Sequence, residues 1–190
     1  MPVYVKSRRA SAATRAGWRG HLRVQHGTVE LLDLTSRGPQ PWVQFSPFYP
    51  HAGIPVPFMS DATSQSVEGI WQALKVFEHE GVDAAKLAIT SMTGLKRAAR
   101  TRGRVLGHQA GLHGTQLLSY GEARRTIYLP SYRWVLDHRL QDLVQHIQRL
   151  AAGGAIVLLD YETNSDVDNL SKPLSRAGLV AAYLEDRWPT

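Results

Sequence analysis

The chain has 190 residues, no cysteine and a net charge of +6, with 22 Lys and Arg against 16 Asp and Glu. A chain of this length can bury a core without disulfides. The lack of cysteine excludes a thiolate nucleophile and a cysteine zinc site, and it favours a reducing compartment, for which we expect the cytoplasm. No apolar run approaches the ~18 residues that a membrane span needs. The basic excess indicates either solubility or an anionic partner such as a nucleotide or a nucleic acid.

The first forty residues predict a small β element, with candidate strands at Pro2–Lys6, His21–Gln25 and Val29–Leu34. The segment 38–58 that follows is rich in proline, which forbids a helix. Its aromatic side chains distinguish it from a low-complexity linker. We therefore expect an ordered loop that packs on the domain.

The rest of the chain predicts helices. The strongest runs from an N-cap at Ser66 to Glu80, and we expect others at Asp83–Ser91, 93–101, 119–128, 131–151 and after Pro173. We interpret 103–114 as a glycine-rich loop, 155–159 as a strand or a buried turn of helix, and Asp160 to Asp168 as a solvated acidic loop. The expected fold is mainly α (α+β): a compact helical domain at 41–190, with residues 1–40 as a strand-rich extension packed on it.

The predicted helix from Ser66 carries a polar stripe beside its apolar face: Glu68, Gln72, Lys75 and His79. Glu68 and Lys75 would lie ~10 Å apart along the axis. That separation is too long for a mutual ion pair but suits two side chains that reach one ligand, with Trp71 between them as an aromatic face. The alternative is a solvent-facing stripe of an amphipathic helix. The histidines show no ligand spacing, so we expect no metal, and His108 and His113 are interpreted as ordinary loop residues.

Two segments together resemble the signature of the NADAR superfamily. They are Phe45-Ser-Pro-Phe-Tyr-Pro50 with Gly53, and Ser66-Val-Glu68 followed by Gln72 and Lys75. The end of the chain, with Asp186 and Trp188, is similar to the ending of that family, although the spacing differs by one residue. Ser46-Pro47 and the acidic loop depart from the family pattern. The resemblance therefore implies a divergent member with a different substrate.

Members of that superfamily are N-glycosidases, so the resemblance implies an enzyme that cleaves a ribose C1–nitrogen bond in a phosphorylated ribosyl or ADP-ribosyl substrate without a cofactor. It assigns the catalytic roles to Glu68 and Lys75. Substrate contacts are expected from the remaining motif residues: Phe48, Tyr49, Gly53, Trp71, Gln72, Asp186 and Trp188. Two alternatives stay open. One is a DNA glycosylase that acts on modified bases; the other is a nucleotide- or nucleic-acid-binding module without catalysis.

A short basic run follows the predicted site, with no acid among its members. Its candidate phosphate-binding residues are Arg97, Arg100, Arg102 and Arg104. One or two of these groups would suffice for a diphosphate, whereas a polynucleotide would need several. The alternative is a solvated basic face.

Overall fold

The computed structural model describes residues 2–189. The strands are β1 Val3–Ser7, β2 Thr28–Asp33, β3 Ile54–Pro55, β4 Thr63–Ser64, β5 Lys75–Phe77, β6 Val105–Gln109, β7 Leu117–Leu118 and β8 Gly154–Asp160. The α-helices are α1 Ala12–His26, α2 Val67–Ala73, α3 Ala99–Arg102, α4 Tyr120–Ala123, α5 Leu129–His138, α6 Gln141–Gly153 and α7 Arg176–Leu184. Short 3-10 helices lie at Trp42–Phe45 and Ala84–Ala88, and a π-helical segment lies at Arg124–Tyr128.

The fold is α+β, so the expectation of a mainly helical protein is wrong. Three small sheets form within the described residues, and two of them lie outside the N-terminal segment where the β element was expected. The chain divides into two compact units. The discontinuous unit consists of the residues up to Ser46 together with those from Leu140 onward, and the inserted unit is Pro47–Arg139. The first forty residues, expected to be an extension, therefore fold together with the C-terminal part of the chain.

The discontinuous unit is built on a parallel sheet in the order β1-β8-β2. Its middle strand β8 is a nearly continuous buried apolar run, which is typical of a parallel strand covered on both faces. Helix α1 packs on this sheet through Leu22, which lies in one cluster with Ala155, Val157 and Leu159.

The strand predicted at His21–Gln25 is wrong, because these residues lie in α1. Ser11 begins this helix by accepting the N–H of Thr14 at 3.1 Å, and Trp18 and Leu22 are four residues apart on the face that meets the sheet. The local alternation of Leu22 and Val24 is a weaker signal than that spacing.

The acidic segment begins with a buried residue rather than a solvated one. Asp160 ends β8 and is 1% exposed. Its carboxylate accepts the Ser175 hydroxyl at 3.0 Å and the Ala177 N–H at 3.2 Å, and it pairs with Arg176 at 3.2 Å. This side chain thereby fixes the start of α7 against the end of the sheet.

The inserted unit has an antiparallel sheet in the order β5-β6-β7, a two-stranded pair β3-β4 and the helices α2 to α5. The helix predicted over 66–80 ends at Ala73, and Lys75 is the first residue of β5, paired with His108 of β6. The segment 103–114, expected to be a loop, contains β6. The helix predicted over 131–151 is two helices, α5 and α6.

Candidate active site

The first turn of α2 orients a buried carboxylate in the inserted unit. Ser66 caps the helix by accepting the Gly69 N–H at 3.0 Å, and the Glu68 N–H donates to the Pro47 carbonyl at 2.8 Å. The Gln72 amide donates to Glu68 Oε1 at 2.8 Å. Since Glu68 is 8% exposed and Gln72 4%, these residues do not form a solvent-facing stripe. The contacts instead hold the Glu68 carboxylate in one orientation.

Lys75 reaches the same region from β5 rather than from the helix. Its side chain is half-buried, and its Nζ lies 6.0 Å from the centroid of the Trp71 ring. Burial lowers the pKa of Lys75, the nearby Glu68 carboxylate acts in the opposite direction, and the charges of Arg97 and Lys96 lower it further. The net effect is an amine that loses its proton more readily than an exposed lysine.

His108 is a site residue that the sequence interpretation missed. It lies opposite Lys75 on β6, is 1% exposed, and its ring centroid is 3.8 Å from that of Trp71. Neither ring nitrogen has a hydrogen-bond partner among residues 2–189. Burial and then the Lys75 charge lower the pKa of His108 to about 3. The side chain is therefore a neutral imidazole at physiological pH.

Two more aromatic rings lie beside Trp71. Tyr120 and Tyr128 lie 5.9 Å and 5.8 Å from its ring centroid, both in edge-on geometry. The buried Arg124 donates to the Tyr120 hydroxyl at 3.0 Å and lies over its ring. Tyr128 and Arg124 belong to the π-helical segment, a feature often found at functional sites. The sequence predicted a helix over 119–128, but its periodicity did not indicate that part of this helix is π-helical.

In the aromatic loop before α2, both candidate rings, Phe48 and Tyr49, are half-buried. Lys96 lies over Phe48, with its Nζ 5.4 Å from the ring centroid, and Tyr49 packs on His51 at 4.9 Å. Gly53 adopts a φ of +65°, which favours glycine, and Arg139 binds the two carbonyls before it. The loop therefore has a defined conformation close to the start of α2.

The four candidate arginines have different environments. Arg97 is 4% exposed, and its guanidinium binds the carbonyls of Gln72, Lys75 and Gly81 as well as the Glu80 carboxylate. This arrangement joins the end of α2 to β5. The Arg97 guanidinium therefore has a structural role here, whereas a phosphate contact was expected. Arg102 pairs with the same Glu80. Arg100 and Arg104 are exposed.

Asp186 and Trp188 belong to the discontinuous unit. Asp186 is exposed with a φ of +51°, and Trp188 packs edge-on against Tyr183 at 6.1 Å. The structure thus brings together Glu68, Gln72, Trp71 and Lys75 within the inserted unit. The expected participation of Asp186 and Trp188 in that site stays a prediction.

The arrangement offers an oriented carboxylate, an amine with a lowered pKa and a neutral imidazole beside aromatic rings. Such a set can stabilise a developing positive charge, transfer a proton and stack a planar leaving group. Within residues 2–189, no group of three or more His, Asp or Glu side chains is placed to hold a metal ion. In the same part of the chain, no helix has the length and apolar character required to cross a membrane.

The chain belongs to the DUF6939 family, a family of unknown function, whose model matches residues 14–180. The match includes segments of both units and all of the inserted one. No curated protein matches the sequence. The resemblance to the NADAR superfamily, which rests on the motif residues alone, stays a prediction.

Proposed function

We propose that the protein is an N-glycosidase that hydrolyses a ribose C1–nitrogen bond in a phosphorylated ribosyl or ADP-ribosyl substrate, acting in the cytoplasm. The observation that carries the proposal is the pairing of the buried, Gln72-oriented Glu68 carboxylate with the partly desolvated Lys75 amine, beside the Trp71 ring. The motif resemblance supports the same chemistry.

Cleavage of an N-glycoside passes through an oxocarbenium-like state, in which positive charge develops at C1. The Glu68 carboxylate stabilises this charge, or it removes a proton from the attacking water. Water supplies a hydroxyl group to C1, and the departing nitrogen takes a proton, so that the products are a free base and a free sugar. Trp71 stacks the departing base.

Lys75 has two possible roles in this reaction. As an ammonium, it donates the proton that the leaving nitrogen needs. As a neutral amine, it attacks the aldehyde of the opened sugar at C1, and loss of water gives an imine. Burial of Lys75 supports the second role, because it increases the neutral fraction near pH 7.

The experiment is an assay with N-ribosyl 5′-phosphates and with ADP-ribosylated guanine, both free and within a DNA strand. Released base is measured by chromatography. The Glu68→Gln variant should lose activity by roughly 10²-fold or more, whereas Glu78→Gln, the same change at an exposed acid of this unit, should turn over like the wild type. Release of no base from any substrate, or equal activity in Glu68→Gln, would contradict the proposal.

A further inference from the structure

The discontinuous unit carries a row of arginines that the proposed reaction does not use. Arg15, Arg19 and Arg23 recur every four residues along α1, so they follow one side of the helix over about 12 Å. None of the three guanidinium groups has an ion-pair or hydrogen-bond partner within the described part of the chain. No acidic residue occurs before Glu30. The row is thus an uncompensated line of positive charge.

The arginine row borders an open groove between α1 and the parallel sheet. The groove has a volume of about 490 Å³, and Leu31 and Leu159 of the sheet line it together with the three arginines. The helix contributes only small residues between them, namely Ala12, Ala16 and Gly20. The groove therefore combines a charged wall with an apolar floor.

Gly20 is not explained by the internal packing of the protein. A methyl group added at this position would meet nothing within 4 Å. A glycine inside a helix costs about 1 kcal/mol relative to alanine, so a larger residue would favour the helix. The small side chains keep the surface beside the arginines accessible to a ligand backbone.

We propose that this groove binds the phosphodiester backbone of a nucleic acid strand. Arginine guanidinium groups match phosphate oxygens in bidentate geometry. A single phosphate would engage one or two arginines placed together, whereas a row of evenly spaced groups suits successive phosphates of an extended chain. The inference concerns the discontinuous unit alone and does not depend on the proposed glycosidase activity.

A membrane surface is a poorer match for the same helix. Helices that lie on a membrane present bulky apolar side chains such as Trp, Phe and Leu to the lipid. In α1 the bulky residues Trp18 and Leu22 pack on the sheet, and the large apolar side chain that stays exposed is Val24. Charge complementarity without an apolar membrane anchor favours the nucleic acid.

The test measures the affinity of the full chain for a fluorescently labelled single-stranded oligonucleotide over a range of salt concentrations, with a duplex as competitor. The test variant replaces Arg15, Arg19 and Arg23 by Gln, which has a similar helix propensity. The matched control replaces Arg37, Arg149 and Arg187, three exposed arginines of the same unit, by Gln. Both variants lose the same net charge.

The slope of log affinity against log salt should decrease in magnitude by about 2 in the test variant, because each phosphate that the protein neutralises on a single strand accounts for about 0.7 of the slope. The slope should change little in the control. Gly20→Leu should stabilise α1 and still weaken binding, because it narrows the groove. Equal losses of affinity in both triple variants, or no binding by the wild type at low salt, would overturn the proposal. Tighter binding to phosphatidylserine vesicles or to polyglutamate, abolished in the test variant, would assign the groove to a membrane or an acidic protein instead.

Discussion

Replacement of His108 by Phe should remove a pH dependence from the stability of the protein. Burial lowers the pKa of His108 to about 3 in the folded state, while an unfolded chain has a histidine pKa of ~6.5. Below pH 6.5 the unfolded state therefore binds a proton that the folded state does not. The stability that depends on a neutral His108 is fully present above pH 6.5, and it is lost progressively as the pH falls toward 3.

The size of the effect follows from this difference in proton binding. Each pH unit in that window removes about 1.4 kcal/mol of stability for one proton, so the wild type should lose roughly 2 to 3 kcal/mol more than His108→Phe between pH 7.5 and pH 4.5. The extra volume of Phe adds a cost of ~1–3 kcal/mol, but that cost does not vary with pH. The pH dependence is thus separable from the effect of packing.

Urea denaturation at several pH values measures this difference. His113→Phe is the matched control, since His113 is an exposed histidine of the same unit, and it should follow the pH dependence of the wild type. If His108→Phe and the wild type gave parallel curves, His108 would titrate as an ordinary solvated histidine. The assignment of a neutral, desolvated imidazole to the site would then be refuted.

Three further outcomes are expected. Arg97→Lys should destabilise the fold by about 3 kcal/mol, because an ammonium cannot bind three carbonyls and a carboxylate at once. The control is Arg100→Lys at an exposed position. Its stability in the same denaturation assay should stay within about 0.5 kcal/mol of the wild type. Asp160→Asn should lower stability by about 3 kcal/mol through loss of its pair with Arg176. Asp61 is an exposed acid, so Asp61→Asn is the control; equal melting temperatures of the two variants would contradict the role of Asp160. Borohydride with a cleavable substrate should fix an adduct on Lys75 if the amine attacks the sugar. Mass spectrometry of the digested protein locates this adduct. Full activity of Lys75→Ala would exclude any catalytic role of Lys75.

Local patterns predicted the elements whose signals lie within a few residues. Strands β1 and β2 were expected close to their observed positions, and Ser66 begins α2 as its N-cap character indicates. For 155–159 a strand was one of two alternatives, and the structure shows β8 there. The motif residues Glu68, Trp71 and Lys75 do lie together. Capping and apolar runs are properties of the local chain, so sequence reasoning has access to them.

The wrong expectations for Lys75 and for the segment 103–114 arise where pairing between distant segments decides the structure. Lys75 extends as a strand because β6 pairs with it, although Leu74 and Phe77 continue the helical spacing of α2. Gly107 suggested a loop, but it lies in β6, where its lack of a side chain allows β7 to come close. A Cβ added at Gly107 would lie 2.4 Å from the Leu118 carbonyl oxygen. His108 joins the site only through this pairing. No short pattern in the sequence encodes such a contact.

The strand order of the parallel sheet has a consequence for how the protein is made. Val3 and Val29 pair with Ile156 and Ala155 of β8, the middle strand, so β1 and β2 leave the ribosome long before their common partner is synthesised. During translation, β1 and β2 would expose unpaired edges, which can pair with other chains. The whole inserted unit is synthesised before β8 emerges. Translation speed after Arg139 and the availability of chaperones should therefore control the yield of native protein.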